Sequence, residues 1–280
     1  MSRIDIKKTY KLFIGGQFPR SESGRTYEIK GANGKFIANP ALASRKDLRD
    51  SVTAAKSALS GWSSATAFNR GQILYRIAAI MEGRRDQFVT EIIALEGGSA
   101  KAANTQVEQA IDLWVWYAGW CDKISTIAGA TNPIAGPYYN FTTPEELGVV
   151  GIIADQKDSL LGLVAAIAPV IATGNTAVVI ASEKRPLPAI TLSEALATSD
   201  LPAGVLNILT GKVSELAPWL ASHMEIDGLD ISGADSKIES ELRIAGAENL
   251  KRIHRFNKSQ SPQRMLAFME AKTVWHPIGI

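Results

Sequence analysis

The fold is decided by residues 148–180, which read GVVGIIADQKDSLLGLVAAIAPVIATGNTAVVI. Two apolar runs, Val149–Ile153 and Ala177–Ile180, have the length of buried strands and flank a helical stretch, Leu160–Ala172. A strand, a helix and a second strand in that order predict parallel pairing through a right-handed crossover. The stretch therefore predicts an α/β fold.

The same alternation continues to residue 247. Val205–Leu209 and the weaker Leu229–Ile231 are further strand-like runs. The second, third and fourth strands are each followed by a helical stretch, namely Ala189–Ala197, Glu215–Ser222 and Lys237–Ala247. The pattern predicts a doubly wound, Rossmann-like parallel sheet over residues 148–255.

Ligands of such sheets bind in the crevice outside the carboxyl ends of the strands. Those ends are followed here by Ala154–Asp158, Ala181–Glu183, Gly211 and Ser232–Asp235. Backbone N–H groups of the Ser232–Asp235 turn could hold an anion. The Asp235 carboxylate would compete with that anion, so we expect a helix cap there.

Helical patterns precede the sheet and predict an N-terminal helical part over residues 1–130. Ser44 with Asp47 predicts an N-terminal cap for the first helix. The core-facing stripes of the three helices are Leu48, Val52, Ala55, Leu59 and Trp62, then Ile73, Ile77, Met81, Phe88 and Ile92, then Val107, Ile111, Trp114 and Ala118.

Residues 131–147 differ in composition from the helical segments before them. Pro137 and Pro144 flank an aromatic, β-prone centre, Tyr138–Thr143. Because proline cannot donate to a strand ladder, this pattern predicts a projecting hairpin or an edge strand and argues against a central strand.

Composition excludes several classes of protein. The 280 residues include 30 basic and 28 acidic side chains, so a strongly basic nucleic-acid footprint is absent. No apolar run has the length of a membrane span, and the start, MSRIDIKKTYKLF, lacks the apolar core of a secretory signal. The sequence predicts a cytoplasmic globular protein of about two domains or of one large α/β unit.

The reactive side chains indicate no site by themselves. Cys121 is the single cysteine and lies among aromatic residues, which predicts an inert, partly buried thiol. The three histidines, His223, His254 and His276, lack metal-ligand spacing, and we expect a protonated His223 at a helix end. The basic run Lys251, Arg252, His254, Arg255 and Lys258 predicts a solvated surface.

Several strings resemble the aldehyde dehydrogenase superfamily over nearly the whole chain. They are LFIGGQF at 12–18, GVVGII at 148–153, IAPVIATGNTAVV at 167–179, SE at 182–183, LPAGVLNILTG at 201–211, AENLKRI at 247–253 and KTVWHPIG at 272–279. The resemblance implies N-terminal helices, an oligomerisation hairpin, an NAD-binding domain and a C-terminal interface strand within residues 256–280. The nearest likeness is to the non-catalytic second half of the double-length members, the sixteenth family.

The resemblance also implies that a catalytic domain is missing. In the family that domain, with its nucleophilic cysteine, lies between the segment similar to AENLKRI and the closing strand. Here only Phe256 to Ala271 separate the two, which is too short for a domain. Cys121 precedes the hairpin and cannot replace that nucleophile.

Other family positions have changed as well. Lys157 stands where the family has its oxyanion asparagine, and Phe256 where it has the general-base glutamate. At the cofactor, Ile180 replaces the ribose lysine, whereas Ser182 and Glu183 are retained. Asp235 replaces a residue of the turn beside the pyrophosphate. Ile238 replaces a glycine where the backbone should approach closely.

These departures predict a pseudoenzyme that binds NAD or NADP weakly or not at all, with Ser182 and Glu183 as residual cofactor positions. Its expected role is structural or regulatory, through pairing with itself or with a full-length aldehyde dehydrogenase by way of Tyr138, Phe141, Trp275 and their neighbours. One alternative is an NAD(P)-dependent aldehyde dehydrogenase that a partner chain completes. Another is a nucleotide-binding module without turnover.

Overall fold

The computed structural model describes residues 8–257 and 260–279. Its first part forms β1 (Ile29–Lys30), β2 (Phe36–Ala38), α1 (Arg45–Ser63), α2 (Ala67–Gly83), α3 (Arg85–Glu96), α4 (Ala100–Ala118) and α5 (Ile124–Ala128). Then come β3 (Ala130–Thr131), β4 (Tyr138–Glu146), β5 (Val149–Ile153), α6 (Leu161–Ala172), β6 (Thr176–Ile180), α7 (Leu187–Leu196), β7 (Leu206–Leu209), α8 (Val213–Ser222), β8 (Gly228–Asp230), α9 (Ser236–Ala247) and β9 (Arg252–His254). The last two elements are α10 (Gln263–Leu266) and β10 (Met269–Pro277).

The larger sheet has the order β7-β6-β5-β8-β9, and every neighbouring pair is parallel. Along β5, Val150 and Ile152 pack into the apolar cluster on one face, whereas Val149 and Ile153 pack into the cluster on the other. Burial on both faces explains why this strand is continuously apolar. The predicted doubly wound α/β fold is confirmed.

Of the N-terminal helices, α1 packs on this sheet, and α2 and α4 pack on α6. The N–H of Asp47 donates to Ser44 Oγ at 3.3 Å, and Asp47 Oδ2 accepts from the N–H of Ser44 at 2.8 Å. This reciprocal pair is the predicted cap, and it begins α1 at Arg45. Among residues 8–257 and 260–279, no helix combines the length and the apolar character that a membrane crossing requires.

The fifth strand lies in a segment that the sequence pattern left unassigned. Arg252–His254 pairs with β8, and Lys251 beside it is only 8% exposed. The prediction of a solvated surface is therefore wrong at Lys251, and Arg252 and His254 are half-buried. An edge strand of this length carries too few apolar residues to reveal itself in the sequence. Lys258 lies outside the described residues.

Strand β4 is central in the second sheet, whose order is β10-β4-β3. The prediction from the prolines that this segment is not a central strand is therefore wrong. A strand that contains proline can be central here because β3 is short and pairs only with Phe141 and Thr142. Pro144 lies beyond that pairing and faces Ala271 of β10 across the sheet, so it has a neighbouring strand on one side.

A buried ion pair holds the connection between β9 and β10. Arg264 Nη2 lies 3.4 Å from Asp230 Oδ2, and the two side chains are 5% and 1% exposed. Arg264 Nη1 also donates to the carbonyl of Asn257 at 3.1 Å, and its guanidinium lies 4.8 Å from the centre of the Phe256 ring. The Arg264 side chain thus fixes the connection to the end of β8.

Replacement of Arg264 by methionine should destabilise the fold by about 3–5 kcal/mol, because it leaves the Asp230 carboxylate buried without a counter-charge. Urea unfolding followed by circular dichroism measures this. Arg243→Met is the matched control, since it removes an exposed pair with Glu239 and should move the unfolding midpoint little. Equal shifts for the two variants would contradict this account of the connection.

Candidate functional site

A cleft of 480 Å³ lies at the carboxyl ends of the parallel strands, where the topology predicts a ligand site. It lies between the loops after β5, β6 and β8 and the first turns of α8 and α9. Its lining residues are Gln156, Glu183, Lys184, Val213, Ser214, Gly233, Asp235, Lys237 and Ile238.

Glu183 lines this cleft and Ser182 is buried beside it, and the polar groups of both bond within the chain. Glu183 Oε2 accepts from the N–H of Val213, the first residue of α8, at 3.1 Å. The N–H of Glu183 donates to Gln156 Oε1 at 2.9 Å, and the Ser182 hydroxyl donates to the carbonyl of Gln156 at 3.3 Å. Both predicted cofactor residues therefore fasten the loop after β6 to the loop after β5.

The polar groups of the turn after β8 also form hydrogen bonds within the chain. Asp235 Oδ1 accepts from the N–H of Lys237 at 2.9 Å, so Asp235 is the predicted cap of α9. The Arg255 guanidinium donates to the carbonyls of Ser232 and Ala234 at 3.2 and 3.0 Å. A carboxylate of the chain thus occupies the helix N-terminus where a phosphate group would otherwise bind.

A third carboxylate lies at the start of α6. Glu96 Oε1 accepts from the N–H and the hydroxyl of Ser159 at 2.8 and 2.6 Å. Gln106 Oε1 accepts from the N–H of Leu160 at 3.2 Å, and Gln106 Nε2 donates to Glu96 Oε2 at 3.0 Å. Sequence reasoning missed Glu96 and Gln106, because both lie on other helices and no motif links them to residue 159.

The positions implied by the resemblance carry side chains that fit a dinucleotide poorly. Ile180 is fully buried in the apolar core, and Ile238 lines the cleft while packing against the same core cluster. Gly233 is needed for packing, since a Cβ atom there would lie 1.8 Å from the carbonyl oxygen of Ala154. Ile180 brings no cation to the cleft, although Lys184 and Lys237 line it. The Asp235 carboxylate lies in the turn that the resemblance assigns to the pyrophosphate.

The position of the expected general base is apolar. The Phe256 ring stacks on His254, with centroids 5.5 Å apart, and meets Phe268 edge-on at 6.1 Å. With the Arg264 guanidinium above it, Phe256 is part of the packing that holds the connection to β10.

Cys121 and the histidines provide no alternative centre. Cys121 is 1% exposed, its Sγ donates to the carbonyl of Tyr117, and burial raises the pKa of the thiol to about 12. His223 Nδ1 accepts from the N–H of Glu225, and burial lowers the pKa of the imidazole. Both observations favour the neutral imidazole, whereas the sequence pattern predicts a protonated one. Within the described ranges, no group of histidine, cysteine and carboxylate side chains has the arrangement of a metal site.

Comparisons with known proteins agree with the fold. The family model described as aldehyde dehydrogenase family matches residues 18–263. The cytosolic 10-formyltetrahydrofolate dehydrogenase of Mus musculus is 33% identical over 90% of this chain and 29% of its own length. Retinal dehydrogenase 2 of Homo sapiens is 33% identical over 94% of this chain and 51% of its own length.

Among solved structures, the NAD⁺ complex of an aldehyde dehydrogenase from Bacillus cereus superposes with a TM-score of 0.83 and 26% identity. The match covers 88% of this chain and 50% of that chain. The chain thus spans about half the length of the solved structure, and less than a third of the formyltetrahydrofolate enzyme. The likeness to the second half of the double-length members stays a prediction.

Proposed function

The chain belongs to the aldehyde dehydrogenase family, and from this premise we propose that it is a non-catalytic member with a structural or regulatory role. The observation that carries the proposal is that carboxylates of the chain itself accept hydrogen bonds from N–H groups at two helix N-termini of the cleft and at the loop before a third helix. Glu183 lies at α8 and Asp235 at α9. Glu96 accepts from the N–H of Ser159, two residues before α6. The ligand edge of the sheet is thereby satisfied internally.

The side chains that the reaction needs are lacking at the matching positions. Thioester chemistry requires a thiolate, a donor for the oxyanion and a base in one place. The resemblance places Lys157 at the position of the oxyanion donor and Phe256 at the position of the base. The single thiol, Cys121, is buried, and its pKa is raised. Nine residues of β10 follow β9 after a short connection, which leaves no room for a catalytic domain between them.

Cofactor affinity should be weak for electrostatic reasons. Loss of the ribose lysine at Ile180 removes a charge-assisted hydrogen bond, which contributes about 1.5–3 kcal/mol. The Asp235 carboxylate repels the pyrophosphate in addition. NAD and NADP are therefore at most weak ligands of this chain, in contrast with the relative solved as an NAD⁺ complex.

The small sheet is the proposed contact with a partner. Tyr138 and Trp275 are 43% and 59% exposed, and their rings meet edge-on at 5.9 Å. The register pairs Trp275 with Asn140, which places Trp275 and Tyr138 on one face of the sheet. Phe141 alternates with them and lies on the opposite face, beside Tyr139 at 5.4 Å. We assign the main contact to the Tyr138–Trp275 face, with a second copy or a full-length aldehyde dehydrogenase as partner.

Two other functions remain as alternatives. A partner chain could complete an active NAD(P)-dependent enzyme. A nucleotide-binding module without turnover is favoured by the cleft itself, in which Glu183 lies close to the apolar walls of Val213 and Ile238. Aldehyde turnover by a complex would support the first, and tight cofactor binding without turnover would support the second.

The purified chain should form no NADH or NADPH from propanal or retinal with the matching cofactor, because nucleophile, oxyanion donor and base are all lacking. Absorbance of the reduced cofactor measures this, with a full-length aldehyde dehydrogenase as positive control. Turnover that survives Cys121→Ala in contaminant-free protein would overturn the non-catalytic assignment. Turnover that the same variant abolishes would also overturn it, and would identify Cys121 as the nucleophile.

Deletion of residues 273–280 should lower the assembled mass without unfolding the α/β sheet, because β10 contributes strand pairing and the Trp275 anchor. Trp275→Ser should act in the same direction. Tyr75→Ser is the matched control, since it removes an equally exposed aromatic ring from α2. Light scattering, with and without a full-length aldehyde dehydrogenase, measures the mass. An intact chain that is monomeric in both mixtures would refute the subunit role.

A further inference from the structure

A second and larger cleft, of 670 Å³, lies on the other side of α8. It runs between the first turns of α1 and the C-terminal end of α8, so none of its lining residues belongs to the site described above. Neither the cleft at the strand ends nor the small sheet gives it a role. Its walls combine arginine and lysine side chains with exposed apolar ones.

Arg45 and Trp219 form the centre of this cleft. The Arg45 guanidinium lies 3.6 Å from the centre of the Trp219 ring, which is a cation–π contact. Within residues 8–257 and 260–279, no carboxylate forms an ion pair with Arg45. The stacking fixes the plane of the guanidinium and leaves its N–H edge available to a carboxylate in a paired geometry.

The charge around Arg45 favours an acidic ligand. Among the lining residues, three cations (Arg45, Lys46 and Arg49) stand against one carboxylate, Glu22. Lys46 and Arg49 share a single counter-charge, Asp50, at 3.3 Å each. The carboxylate of Glu22 accepts a hydrogen bond from the Ser44 hydroxyl at 2.9 Å. The cleft therefore keeps an excess of positive charge.

The apolar part of the cleft is exposed. Trp219 and Met224 are 41% and 67% exposed, although both are residue types that commonly anchor a bound peptide. A wall with an unpaired arginine and two such anchors complements a chain segment that carries carboxylates next to a large apolar side chain. Small anions alone would leave both anchors uncovered.

We infer that the cleft between α1 and α8 docks an acidic peptide segment of a partner protein, with Arg45 binding a carboxylate and with Trp219 and Met224 covering an apolar anchor. This inference is independent of the proposed function. It describes a second contact, on a surface separate from the small sheet.

The test uses the full chain and fluorescence anisotropy of a labelled peptide in which aspartate and glutamate flank a Leu-Phe pair. A second peptide has lysine in place of every acidic residue. The acidic peptide should bind, and its affinity should fall as salt is added. Arg45→Met should weaken it about tenfold or more, since the charged contact is lost while the apolar stem stays on Trp219.

Lys101→Met is the matched control, because it removes one exposed positive charge from α4 and should leave the affinity unchanged. Trp219→Ala tests the apolar contact independently and should also weaken binding of the acidic peptide. Equal binding of the acidic and basic peptides, no binding of the acidic peptide in low salt, or an affinity that Arg45→Met and Trp219→Ala leave intact would each overturn the inference.

Discussion

The structure depends on the burial of helix α6 on every side. Every residue from Gly162 to Ala172 is buried, so the helix presents no polar face to water. It has to lie between the sheet, through β5 and β6, and the N-terminal helices α2 and α4. This position directs the start of α6 to the carboxyl ends of the strands. The location of the cleft therefore follows from the same apolar stretch that decides the fold.

At that edge, hydrogen bonds within the chain join the loops and the helix starts. Helix N-termini and strand ends expose N–H groups that need acceptors. Glu183 and Asp235 supply carboxylate oxygens to the first turns of α8 and α9. Glu96 accepts from the N–H of Ser159 in the loop before α6, and Gln156 joins two of the loops. Each of these bonds gives a backbone donor an acceptor within the chain. The family fold is thus present here with hydrogen bonds of the chain itself along this edge.

The sequence predicts what depends on continuous apolar runs and local caps. The strands from Val149 and Ala177, the helix α6 and the caps at Ser44 and Asp235 all fall where the pattern places them. Contacts between distant segments escape such reasoning. Glu96 reaches Ser159 across 63 positions, and Arg264 reaches Asp230 across 34. Strand β9 is missed for another reason. Its three residues are half-buried at the edge of the sheet, so their hydrophobicity does not alternate in a recognisable pattern.

Calorimetric titration of NAD⁺ into the wild-type chain and into Asp235→Ser tests the central claim most directly, that the chain's own carboxylates close the cofactor edge. Serine also caps helices, so the variant keeps α9 while removing the charge. The wild type should show no saturation below about 1 mM, and the variant should bind more tightly. A micromolar dissociation constant for the wild type, or a variant that binds no better, would contradict it.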